Sequence, residues 1–174
     1  MATLNTSDLN RQGKVFTACN QSAATVTLIN TSTATGFILS NPYGSSRKLS
    51  IIDLTFAYTT VPTATAIVFA CLSIAPTNVA HATTTAITVY NADGSGVATT
   101  NTARAYSAST TPNLPVYTRI LGYSPTTPAT TGALTFKDAA EGALVVIPGA
   151  YMQISYITTA PVGITSCTWA EFSV

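Results

Sequence analysis

The sequence predicts an all-β protein, a single-domain antiparallel β-sandwich in the jelly-roll topology behind a polar N-terminal arm. Three observations predict it. Of 174 residues, 33 are Thr, a β-branched residue that suits the solvent face of a strand while offering water a hydroxyl. Short segments alternate apolar and polar residues with a period of two, and no segment holds the 3.6-residue period of a helix. Turn signals built from Pro, Gly, Asn and Asp recur at close intervals. Eight to ten short strands follow from this pattern, the number of a sandwich or barrel, and antiparallel strands in that number favour the jelly roll. The absence of a fixed-period repeat argues against a solenoid or propeller.

Taken in order, residues 1–14 form the arm and 15–174 the sandwich. The arm carries three charges and no periodicity, which reads either as a frayed terminus or as a docking segment that orders on a neighbour. Residues 15–19 form a first strand. Residues 25–29 alternate with Val26 and Leu28 inward, and 36–40 form another run. Asn41-Pro42-Tyr43-Gly44-Ser45 is a turn, because Pro fixes one dihedral and Gly permits positive values at another. Residues 49–58 are the best central strand, with Ile52, Leu54, Phe56 and Tyr58 on one face. After a turn at 61–65, residues 66–74 are strongly apolar. Residues 83–90 form a further strand, closed by the loop Asn91-Ala92-Asp93-Gly94-Ser95-Gly96.

Short strands at 104–107 and 117–123 precede a Pro- and Thr-rich loop at 124–131, and 134–136 is a short edge strand. Leu144, Val145, Val146 and Ile147 form a buried strand that stops at Pro148-Gly149. Met152, Ile154 and Tyr156 then alternate with Gln153, Ser155 and Ile157. Past a turn at 161–163, Cys167, Trp169 and Glu171 share one side of a closing strand.

Composition bounds the function. Seven basic and six acidic residues make up 7% of the chain, against roughly 25% in typical soluble domains. A surface so poor in charge does little to repel a neighbour, and burial against other subunits relieves it. Nucleic-acid binding draws on several phosphate contacts, so a near-neutral chain with no basic run is not expected to bind it. No segment approaches the ~20 apolar residues of a membrane-spanning helix. Residues 1–11 are too polar for a secretory signal, which predicts synthesis in a cytoplasm. Cys19, Cys71 and Cys167 lack paired spacing, predicting buried free thiols rather than disulfides or zinc.

Catalytic chemistry is sparse. His81 is the sole histidine, which excludes a multi-histidine metal site and predicts an ordinary surface residue in a polar loop. Asp138 and Glu141 lie three apart and read as a solvated loop, since spacing alone does not place two carboxylates across a cleft. No catalytic residue, cofactor site or metal site is expected. Tyr43, Tyr106, Tyr117 and Tyr123 fall in or near predicted loops, where aromatic platforms among Thr and Asn suit a glycan; the plainer reading packs them at loop bases or subunit contacts. Arg11 and Lys14 of the arm, with Trp169 and Glu171 of the closing segment, are the expected assembly contacts.

Gly13-Lys14-Val15-Phe16, the run from Thr35-Gly36-Phe37-Ile38 through Leu39-Ser40 into the Asn41 turn, Ile147-Pro148-Gly149 and Thr168-Trp169-Ala170-Glu171 resemble small virion proteins of tailed bacteriophages. The resemblance runs over most of the chain and rests on turn and strand motifs. It implies a Thr- and Ala-rich, low-charge jelly roll of the head decoration or fibre type, assembled as a homotrimer at the virion capsid surface. The implied partners are further copies of itself, the major capsid protein and a cell-surface glycan. The Pro-Gly turn and closing strand are also similar to trimeric jelly rolls of the tumour-necrosis-factor type, with no receptor-contact motif to carry across.

Overall fold

The computed structural model describes residues 5–29, 31–60, 64–124 and 134–174. A short helix, α1 (Thr6–Arg11), leads into strands β1 (Val15–Cys19), β2 (Ala24–Thr25), β3 (Thr33–Ser40), β4 (Arg47–Thr60) and β5 (Ala66–Ser73). Next come β6 (Ala82–Ile87), β7 (Tyr90–Asn91), β8 (Arg104–Thr110) and β9 (Pro115–Ser124), then β10 (Thr135–Asp138), β11 (Leu144–Val146), β12 (Tyr151–Thr158) and β13 (Val162–Ser173). One sheet runs β10-β4-β13-β1-β7, with β11 also on β4 and β2 also on β13; the other runs β6-β8-β3-β12-β5-β9. All ladders between these strands are antiparallel.

The pairing is nested. Strand β1 lies against β13, β3 against β12, β4 against β10 and β11, and β5 against β9. First pairs with last and each inner pair folds inside it, which is the jelly-roll order. Strands β6 to β8 are an insertion between the two innermost positions. They widen one sheet beside β3 and the other beside β1.

Inward residues of both sheets make one core, including Phe16, Phe37, Leu39, Leu54, Phe56, Met152, Ile154 and Trp169. Each large side chain buried there contributes roughly 1.5–3 kcal/mol. The expected face of 49–58 is corrected at one position. Cys167 pairs with Leu54 and Thr168 with Asp53, but Trp169 pairs with Ile51, leaving Ile52 as the extra residue of a β-bulge. Leu49 and Ile51 therefore point inward with Leu54, Phe56 and Tyr58. Ile52 turns out to the opposite face, and the turn before β11 covers its backbone: Glu141 N–H donates to Ile52 O at 3.0 Å and Gly142 N–H to Ile51 O at 2.7 Å.

Three further expectations are corrected. The arm is not featureless: Asn5 caps α1 by accepting the Asp8 N–H on its side-chain oxygen at 2.9 Å. Leu9 is buried with Val15 and Ala170, and Ile52 and Phe172 pack around them, so the arm lies on the sandwich. One buried leucine in an otherwise polar stretch gives no period to read. Leu28 is exposed rather than inward, because β2 stops at Thr25 and hydroxyls replace the ladder. Thr35 N–H donates to Thr27 Oγ1 at 2.7 Å and Thr35 Oγ1 to Thr25 O at 2.6 Å, the local side-chain competition that Thr brings to a strand. The third is the turn expected at 161–163: Val162 and Gly163 belong to β13. A Cβ on Gly163 would stand 2.3 Å from Ala57 O and 2.5 Å from Phe56, so this glycine serves close packing inside a strand. The turn at 61–65 and the loop at 124–131 fall largely outside the described residues.

The two sheets are closed at the β9–β10 end. Arg119 Nε lies 2.5 Å from Asp138 Oδ2, which corrects the solvated loop expected for Asp138; Glu141 is exposed. Beside this pair the Phe136 ring occupies the space above Gly122, where a Cβ would stand 2.2 Å from the ring. Phe136 also meets Tyr58 edge-on at 5.7 Å. Gly122→Ala therefore pushes Phe136 off its seat, and a loss of about 1–3 kcal/mol is expected from the overpacking. A urea midpoint unchanged from wild type would show that the ring moves at no cost.

Candidate functional site

Chemistry-bearing side chains gather where three turns meet the outer surface of the β3-β12 sheet. The 41–45 turn brings Tyr43, and the Pro148-Gly149 turn lies against it. Gly149 N–H donates to Asn41 O at 2.8 Å and Thr77 N–H to Gly149 O at 3.0 Å. At Gly149 φ is +80°, and a Cβ would meet Thr77 O at 2.8 Å and Tyr43 at 2.9 Å, so only glycine permits this junction. Asn41 holds the underside, its amide donating to Arg47 O at 2.7 Å and Val146 O at 2.9 Å. The result is a cavity of about 220 Å³ walled by Tyr43, Tyr106, His81, Asn78, Thr77 and Pro112, among others.

His81 is the surprise. Expected as an ordinary surface residue, it lies half-buried with its ring 5.5 Å from Tyr106 and 5.0 Å, edge-on, from Tyr151. Its Nδ1 is 2.8 Å from Ser109 Oγ. Burial pulls its pKa down to about 4, because the charged ring loses water without gaining a carboxylate. Tyr151 is held in turn by donating its hydroxyl to Asn113 O, and burial pushes its pKa up to about 12.

A serine hydroxyl on a histidine nitrogen is the first half of an activated nucleophile. Here Ser109 is buried and no Asp or Glu lines the cavity, so nothing orients the histidine as a base. What the walls do offer is two phenol rings, an imidazole and amide and hydroxyl groups, with no Asp, Glu, Lys or Arg among the lining residues. Such a lining suits one face of a sugar ring. The volume is below the ~300–1,000 Å³ of a drug-sized site.

The four tyrosines separate into two pairs. Tyr43 and Tyr106 converge on this cavity. Tyr117 and Tyr123 are on β9, far along the second sheet, and Tyr106, Tyr117 and Tyr123 all lie in strands rather than loops. A larger neutral cleft of about 420 Å³, lined by Asn20, Gln21, Ser22, Thr25 and Thr88 among others, contains no aromatic ring.

The expected assembly contacts also divide. Arg11 is exposed on α1, 3.9 Å from Asp8. Lys14 is tied by its backbone, accepting the Glu171 N–H at 2.9 Å. Trp169 and Glu171 are corrected: both side chains are buried on the core side of β13 and present no surface to a neighbour. Alternation placed them on one face, and that face is the inner one. What reading the sequence missed is the exposed apolar row formed by Ile120, Tyr123, Ile157 and Leu28, which strand periodicity assigns to no common face.

Cys71 and Cys167 are buried free thiols and Cys19 is half-buried; burial raises the pKa of all three, Cys71 to about 12, which keeps them protonated and unreactive. Among the described residues no three His, Cys, Asp or Glu side chains come together to hold a metal ion. No described helix is long and apolar enough to cross a membrane. Compared with known protein families, curated proteins and solved structures, the chain matches none of them.

Proposed function

We propose that this chain is a non-enzymatic virion structural protein, a capsid decoration protein that sits on the exterior of a bacteriophage head, assembles as a homotrimer and bridges major capsid proteins. The observation that carries the reading is the pairing of a jelly-roll sandwich with a surface poor in charge and apolar over part of one sheet. Such a surface gains by being covered. The resemblance of the chain's turn and strand motifs to those of small phage virion proteins suggests the particular particle.

The test is direct. Purified protein added to heads that lack it is expected to cosediment at a fixed ratio and to raise the temperature at which the heads disrupt. Protein left wholly in the supernatant would sink the reading.

A second reading, a carbohydrate-binding or adhesion module on a virion or fibre, is favoured by the cavity between Tyr43, Tyr106 and His81. Tyr43 is largely exposed and free of core packing, so Tyr43→Ala is expected to weaken glycan binding about five- to tenfold, for a stacked ring worth about 1–1.5 kcal/mol, with an unchanged melting temperature. A glycan screen with no binder removes this reading and leaves the structural one.

A further inference from the structure

The second sheet turns an apolar face outward at its β9 edge, and two irregularities build it. Strand β9 pairs with β5 through Ile67↔Tyr123, Phe69↔Ile120 and Cys71↔Tyr117, with register shifts between these pairs. Paired residues point to one side of a sheet. The shifts insert an extra residue twice, so β9 shows Tyr117, Ile120 and Tyr123 on one face at a spacing of three instead of two. Ile157 of β12 pairs with Ile67 and continues the row. Leu28 closes it, lining one apolar hollow with Tyr117 and Ile157.

These five side chains remain open: Leu28 is 42% exposed, Tyr117 36%, Ile120 64%, Tyr123 56% and Ile157 36%. Beneath them Tyr117 is fixed, its ring 4.3 Å from Phe69 and its hydroxyl donating to Tyr156 O at 3.1 Å. The row is therefore preorganised.

We infer that this face is where a second copy of the chain docks, patch against patch across a symmetry axis. Two arguments choose that occupant. The first is charge: β5 and β12 carry no ionisable Asp, Glu, Lys or Arg, and the single charge on β9, Arg119, is drawn to Asp138. A neutral apolar surface asks for no electrostatic complement, and an identical copy supplies its match. The second is area. Five such residues leave on the order of 500 Å² open, the upper end of what a monomer shows and a large part of the ~800 Å² per partner of a standard interface.

The same bulges guard against the other mode of self-association. Strand β9 is an edge, and two bulges break the regular row of backbone groups on which a further strand would add. Packing through the face stays open while edge-to-edge pairing is discouraged. The contact is a two-fold one, so it goes beyond the trimer proposed above and rests on that reading only in taking the chain to self-associate.

The experiment compares wild type with Ile120→Glu and Ile120→Lys by light scattering, diluting to about 1 μM, the weak end of interfaces of this size. Wild type is expected at twice the 18.0 kDa chain mass, and each variant at one chain with an unchanged melting temperature, because like charges then meet across the axis. Mixing the two variants is expected to restore the multimer. A wild type of single-chain mass, variants that keep the wild-type mass, or a mixture that stays monomeric would each overturn the inference. A single-chain protein that still cosediments with heads would overturn this face and leave the capsid reading standing. A multimer that ignores heads would do the reverse.

Discussion

Glu171→Ala is expected to lower the unfolding free energy by about 3–5 kcal/mol, the range for stripping one partner from a buried charged network. The Glu171 carboxylate is 1% exposed, on the core side of β13. It accepts the Thr102 N–H at 2.9 Å on Oε2 and 3.0 Å on Oε1, the Thr102 hydroxyl at 2.9 Å and the Ala103 N–H at 3.1 Å. The Trp169 indole N–H adds a bond at 3.3 Å and Arg47 stands 3.6 Å away. Removing the acid leaves two backbone donors and an indole donor with no acceptor in a dry site, each costing about 1–3 kcal/mol. Those bonds also pin Thr102 and Ala103, which lead into β8 of the insertion, to the final strand. Loss of protection from hydrogen exchange is therefore expected first at Thr102 and Ala103.

Glu171→Gln separates the causes. It keeps the volume but offers one acceptor oxygen to a site arranged for two and turns an NH2 toward donors, so an intermediate loss of about 2–3 kcal/mol is expected. A Glu171→Ala variant within about 1 kcal/mol of wild type in guanidinium unfolding would mean that water replaces the carboxylate.

Glu171 also marks where the sequence stops being legible. Alternation put it on one face with Cys167 and Trp169, but that this face is the inner one, and that it buries a carboxylate, cannot be read from period alone. The partners that make it tolerable, Thr102 and Ala103, are 69 and 68 residues away in the stretch with the weakest pattern. Strand existence was legible for the same reason that registers were not. Runs such as 49–58 and 144–147 announce themselves by apolar content, whereas the bulge at Ile52 lies in the ladder with β13 and is covered by the turn at Glu141 and Gly142, both remote in sequence. The bulges in β9 similarly turned a period of two into a period of three, hiding the row of Tyr117, Ile120 and Tyr123. In the pocket, Tyr43 was legible from its turn, but its convergence with His81 needed the insertion to fold back over β3 and β12.

Acidification supplies the second large effect. Folded, His81 protonates only near pH 4; in the unfolded chain it does so near 6.5. Above pH 6.5 both states hold a neutral ring and His81 makes stability independent of pH. As pH falls from 6.5 to 4 the unfolded chain takes up a proton that the folded chain refuses, so the native state loses stability through that window and the loss levels off below it. Its size is no more than about 3 kcal/mol, and about 2 once the water-facing part of the ring is allowed for. The expected observation is a melting temperature that declines from pH 6.5 to 4 in wild type and declines less in His81→Phe. Phenylalanine keeps a ring between Tyr106 and Tyr151, and Ser109 retains Thr110 O at 3.2 Å as an acceptor. Parallel pH profiles for the two proteins would show that the ring protonates in place, and that the pocket tolerates a cation against Tyr106 and Tyr151. A difference confined to pH 4–6.5 instead ties acid sensitivity to the one cavity that gathers Tyr43, Tyr106 and His81. Any ligand held there is then expected to bind more weakly in the same window, since the loop that carries His81 forms its wall.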